Sequence, residues 1–155
     1  MTDTIHDRLA AAGITLPAAA APAANYVPFV VYGSSLQTSG QLPMEAGKVA
    51  VTGKLGGEVS LEDGQRAAKL CAVNILAQAS AALGGDLTRI ARLLKLTVFV
   101  ASESGFTEQH KIANGASDFL VEILGDAGRH SRSAVGVPSL PFDAAVEIEA
   151  LFEIK

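Results

Sequence analysis

Ser131-Arg-Ser-Ala-Val-Gly-Val-Pro-Ser-Leu-Pro-Phe-Asp-Ala-Ala-Val-Glu-Ile-Glu149 is the stretch on which the reading of the fold turns. Two runs suited to strands, 131–137 and 144–154, flank a turn from Pro138 to Asp143 whose prolines interrupt any ladder. Strand alternation puts Arg132, Ala134 and Gly136 on one face of the first run and Val135 and Val137 on the other. In the second run Glu147 and Glu149 share a face, opposite Val146, Ile148 and Ala150. An arginine whose strand-face neighbours are alanine and glycine has open space around it. Its guanidinium can then hold a carboxylate through two parallel hydrogen bonds. The competing reading is an ion pair from Arg132 to Glu147 or Glu149 across paired strands. On residue types alone that reading is the favoured one, because strand arginines are commonly paired in this way.

Upstream of this pair the apolar period changes. Residues 106–124 carry Ile112, Ala116, Phe119, Leu120 and Ile123 at helical spacing, with Gly125 as a stop. Residues 91–101 crowd Leu93, Leu94, Leu96, Val98, Phe99 and Val100 into one run, which predicts a central strand covered on both faces. Ser60–Leu83 reads as a long helix. Ser60 and Asp63 form an approximate capping box, and Gly84-Gly85 ends the helix. Its stripe of Ala68, Cys71, Ala72, Ile75, Ala79 and Ala82 is small, which lets a helix lie close to a sheet. Cys71 sits inside that stripe and reads as a buried thiol.

The N-terminal part is strand-rich. Residues 27–32 and 36–39 read as strands joined by a turn at Gly33-Ser34-Ser35, and 48–52 as a third strand. The glycine-rich loop Gly53-Lys-Leu-Gly-Gly57 lacks the spacing of a phosphate loop and reads as a turn. Residues 2–12 predict a short helix, with Asp3 as its cap and Gly13 as its stop. Leu16 to Ala24 is an extended Ala/Pro connector, expected to lie on the surface. The order is a small helix and then β-β-β-α-β-α-β-β. It predicts one α+β domain over 1–155, with an N-terminal helix and arm at 1–24 and a core at 25–155. The sheet is expected to be mixed, with both long helices on one face. The other face is expected to be apolar and bare, and a ring of identical subunits is the simplest cover.

Composition narrows the function. The 155 residues carry a formal charge of −4, and the cations are scattered without interleaved aromatics, which argues against nucleic acid as a ligand. One cysteine allows no disulfide within the chain. No C-x-x-C or H-E-x-x-H spacing predicts a metal site. No leader or membrane-spanning run is read, so a cytoplasmic location and no membrane partner are expected.

Three motifs together resemble the RidA/YjgF family. They are Arg-Ser-x-Val-x-Val-x-x-Leu-Pro from Arg132 with the following Val-Glu-Ile-Glu-Ala, Thr38-Ser-Gly-Gln-Leu-Pro43, and Lys95-Leu-Thr-Val-Phe-Val100 with the helix bearing Asn114. The likeness runs over roughly residues 26–155, leaving the N-terminal helix and arm outside it. It implies a chorismate-mutase-like subunit and a homotrimer with clefts between subunits. It also implies cofactor-free hydrolysis of reactive 2-imino acids, or their enamine tautomers, to 2-keto acids and ammonia. By motif, Arg132 matches the arginine that grips the substrate carboxylate and Glu147 the glutamate that positions water. Tyr26, Ser39, Gly40 and Asn114 match cleft-lining positions. Ala134 stands where many members have cysteine. His130 is an added titratable group, expected in a solvated loop, and Gly115 is expected to loosen the helix beside Asn114. Two further readings remain: a trimer that binds carboxylated metabolites without catalysis and, less favoured, an endoribonuclease.

Overall fold

The computed structural model describes residues 3–155. Helix α1 (Ile5–Ala11) opens the fold. Thr4, not Asp3, caps it: the Thr4 hydroxyl accepts from the Asp7 amide, and Asp7 accepts from the Thr4 amide. This reciprocal box outcompetes Asp3 because it satisfies two helix-end donors at once. Position 2 of the expected helix lies outside the described residues. Ile5 and Leu9 are buried in the main core. Arg8 Nε donates to the Ile123 carbonyl at 2.6 Å, tying α1 to the end of a long helix.

Strands β1 (Phe29–Tyr32) and β2 (Ser35–Thr38) form a hairpin. Its turn is shorter than expected, because Ser35 already pairs with Tyr32. β3 (Met44–Glu45) and β4 (Lys48–Val49) make a separate two-stranded ribbon. The third strand expected over 48–52 is therefore only its first two residues. Ala46 and Gly47 both take positive φ (52° and 78°), a tight mirror-type turn that folds the chain back on itself. Beyond them, Thr52 makes an isolated bridge with Ala144.

Helices α2 (Leu61–Ala82) and α3 (Gln109–Leu124) pack together on one face of a five-stranded sheet. Their closeness depends on small residues. A methyl group on Gly115 would lie 2.8 Å from the Gln65 carbonyl carbon, so the helices meet backbone to backbone. Gly115 thus fastens α3 to α2, contrary to the expected loosening. Gln65 Nε2 adds a bond to the Lys111 carbonyl across the same crossing.

The sheet contains β5 (Ile90–Ala101), β6 (Ser131–Val137) and β7 (Val146–Ile154), in the order β1-β2-β7-β5-β6. β6 runs parallel to β5, with α3 as the crossover, and the other neighbours are antiparallel. This is the α+β mixed sheet anticipated. Leu96, Val98 and Val100 face the helices alongside Ala150, Ile148 and Val146, and all six are buried. β5 is an interior strand between β7 and β6, but β7 holds the middle of the sheet, and only this face of β5 is covered where cover on both was expected. Lys95, Thr97 and Phe99 point to the other face and remain partly exposed.

The uncovered face is not the apolar surface expected. Tyr32, Val30, Leu151, Phe99 and Val135 alternate on it with Glu147, Glu149 and Glu153. Period-2 alternation in β7 puts every glutamate of that strand on the side away from the helices.

Candidate active site in two halves

The sheet order decides where Arg132 and Glu147 lie. β5 separates β6 from β7, so the cross-strand ion pair is sterically out of reach. Arg132 is registered with Leu96, on the helix-covered face, whereas Glu147 is registered with Phe99, on the uncovered one. Two strand spacings, about 10 Å, and the thickness of the sheet separate them. No ion pair among the described residues involves either side chain.

The first half of the site gathers Arg132, Asn114 and Ala134 at the β6 edge. Arg132 Nη1 donates to Asn114 Oδ1 at 2.9 Å and to Ser117 Oγ at 3.1 Å. Nη2 donates to the His110 carbonyl at 3.2 Å. These bonds orient the guanidinium and leave Nε–H and one Nη2–H for a ligand, two donors suited to a carboxylate. Asn114 therefore acts on the arginine directly. Ala134, two residues along the same strand face, packs partly against the core.

His130 belongs to this half, contrary to the expected solvated loop. Its Nε2 lies 2.8 Å from Ser117 Oγ and its Nδ1 2.6 Å from the Gly128 carbonyl. Burial holds the imidazole below its ordinary pKa. The Arg132 charge acts the same way, and the bond to Gly128 opposes both. In the neutral ring, Nδ1–H donates to Gly128 and Nε2 accepts the Ser117 hydroxyl proton, so the Ser117 oxygen faces Arg132. Sequence reasoning missed Ser117, although its signal is present. It stands three residues after Asn114, on the same helix face.

The second half gathers Tyr26, Ser39, Gly40 and Glu147. A methyl group on Gly40 would lie 2.8 Å from the Glu147 carboxyl carbon, so the carboxylate rests directly over this glycine. Burial raises the Glu147 pKa, and the neighbouring Glu149 charge adds to the rise. A carboxyl group poised in this way can exchange a proton nearer neutrality than an exposed glutamate. Ser39 Oγ donates to the Val27 carbonyl at 2.7 Å, which fixes the segment that carries Tyr26. Gln41 pairs through its backbone with Ile148, and this bridge sets Gly40 beside Glu147. Gly40 and Tyr26 also border a cavity of about 640 Å³.

Comparison with known proteins now bears on these two halves. Residues 6–154 match the family model described as "YjgF/chorismate_mutase-like, putative endoribonuclease". The chain belongs to the RidA/YjgF family. The match takes in the N-terminal helix and arm, which the motif resemblance had left outside. Protein TCP17 of Trypanosoma cruzi is 52% identical over 144 residues, covering 92% of this chain and 89% of that protein. The protein Atu1372 of Agrobacterium tumefaciens is 57% identical with a TM-score of 0.93, covering 99% of this chain and 94% of its own. TdcF of E. coli, solved with bound serine, is 29% identical with a TM-score of 0.64, covering 88% of this chain and 94% of its own. Among the described residues no helix is long and apolar enough to cross a membrane.

Proposed function

We propose that the chain hydrolyses 2-imino acids, or their enamine tautomers, to 2-keto acids and ammonia in clefts between the subunits of a homotrimer. The observation that carries this reading is the placement of Arg132 and Glu147 on opposite faces of one sheet, each in a half-formed site. Two such halves cannot converge on one small molecule within a subunit. They can do so when the Arg132 edge of one subunit meets the Tyr26–Gly40–Glu147 corner of the next. The serine bound in TdcF supports a small carboxylated ligand in this family.

The chemistry follows from the two halves. Arg132 takes the carboxylate and fixes the C2 carbon. The substrate reacts as the iminium, its nitrogen protonated by solvent. Ionised Glu147 accepts a proton from water as the water oxygen bonds to C2, and the C=N pair moves to nitrogen to give a neutral amine. Glu147 returns its proton to that amine, which leaves as ammonia, and the new hydroxyl gives its proton back to solvent and becomes the keto oxygen. Atoms balance as imino acid plus water giving keto acid plus ammonia, without change of oxidation state.

The test uses imino acids generated in situ by an amino-acid oxidase, with ammonia release as the readout. Arg132→Ala should abolish release and keto-acid binding. Glu147→Gln should keep binding and lose turnover. Trimers assembled from both inactive variants together should regain activity, with about a quarter of clefts pairing an intact arginine with an intact glutamate. Unchanged release from Arg132→Ala removes the deaminase reading. Glu147→Gln that turns over normally removes Glu147 from the chemistry, whereas keto-acid binding by the wild-type chain without release from any imino acid leaves a metabolite-binding protein.

A further inference from the structure

We infer that the cavity beside Gly40 receives the substrate's side chain, and that the preferred substrates are imino acids with large apolar side chains. The inference rests on the deaminase reading and adds the substrate class to it. Gly40 is at once the residue beneath the Glu147 carboxylate and part of the cavity wall. A substrate whose C2 is presented to Glu147 therefore has this space within reach of its side chain.

The cavity is large, about 640 Å³, within the range of small-molecule sites and far beyond what a methyl substituent needs. Its walls are mostly apolar, formed by Ala21, Pro22, Tyr26, Leu42, Met44 and Phe142. Water in such a space has few polar partners, so an apolar group displaces it favourably.

Two features argue that the wall is built and not incidental. Phe142 takes φ 57° and ψ 26°, a conformation that disfavours side-chain-bearing residues, and the residue is 68% exposed. Strain that holds an aromatic out into water has a rationale if a ligand covers the ring. The part of the wall formed by the Ala/Pro arm is fastened from inside. Gln78, only 1% exposed, donates from Nε2 to the Ala20 carbonyl at 2.9 Å, and the same nitrogen lies 3.3 Å from Gln41 Oε1. The arm is thus held against the Gly40–Gln41 segment, and its alanines keep the space open.

The experiment compares ammonia release from the imino acids of alanine, leucine and phenylalanine. The wild-type chain should favour the two large substrates in kcat/KM. Ala21→Trp and Ala23→Trp change exposed arm residues outside the catalytic groups and should fill the space. Each should lower kcat/KM for the large substrates at least about tenfold and leave the alanine-derived substrate within about twofold. Equal use of small and large substrates by the wild type, or large-substrate turnover unaffected by both tryptophans, overturns the cavity assignment and leaves the deaminase reading intact. Absence of release from every imino acid overturns the deaminase reading, and this inference falls with it.

Discussion

Replacing Gly40 by alanine is the sharpest probe of the Glu147 half-site, because the structure separates its effect on chemistry from its effect on folding. Gly40 is not among the positive-φ glycines, so its backbone accepts a side chain. The new methyl would sit 2.8 Å from the Glu147 carboxyl carbon, where ordinary carbon contacts begin near 3.5 Å. The carboxyl must move by roughly 1 Å, and as the end of a flexible side chain it can do so. The rotamer distortion costs about 0.5–1.5 kcal/mol. Reduced freedom of the unfolded chain returns about 0.4–1 kcal/mol. Stability should therefore change by no more than about 1 kcal/mol, or a few degrees in melting temperature for a chain of this size. Catalysis should suffer far more. A misplacement of about 1 Å in a positioned group costs about a hundredfold, equivalent to roughly 2.7 kcal/mol in the barrier. Ammonia release, keto-acid affinity and thermal melting measured on the same preparation should show kcat falling about a hundredfold while affinity and melting hold. Turnover within twofold of wild type would refute the argument that the Glu147 carboxylate acts from its seat over Gly40.

Other expectations follow from single contacts. Gly115→Ala should lower the denaturant midpoint, because a methyl 2.8 Å from the Gln65 carbonyl carbon meets backbone that cannot swing away. Overpacking of this kind costs about 1–3 kcal/mol, offset by at most about 1 kcal/mol of improved helix propensity. An unchanged midpoint would mean that the helices are not in backbone contact there. Glu147→Gln should raise the melting temperature at neutral pH. Because the folded-state pKa of Glu147 is raised above its ordinary 4.5, the folded chain binds the extra proton, and stability falls as pH rises through that window. The gain from glutamine should therefore be full at neutral pH and vanish below pH 4.5, and a pH-independent gain would refute burial as the cause.

What could be read from the sequence was what short-range rules control. The small-residue stripe of α2, the apolar stripe of α3, the glycine stops and the alternation that separates Arg132, Ala134 and Gly136 from Val135 and Val137 all depend on neighbours within a few residues. The three family motifs added the identity of Arg132, Gly40 and Glu147 as a set. Strand order was not legible, because pairing of β5 between β6 and β7 is decided by contacts between distant segments. That order removes the Arg132–glutamate pair which adjacency in sequence had favoured. Register with β5 puts Arg132 and Glu147 on opposite faces, which is the ground for the proposal of a cleft between subunits. His130 moved from an expected solvated loop to a partner of Ser117 for the same reason, since only packing of the β6 approach against α3 brings them within 2.8 Å. Local periodicity tells which residues share a face. Only the tertiary structure decides which face the helices cover, because that choice is made by the burial of the whole sheet at once.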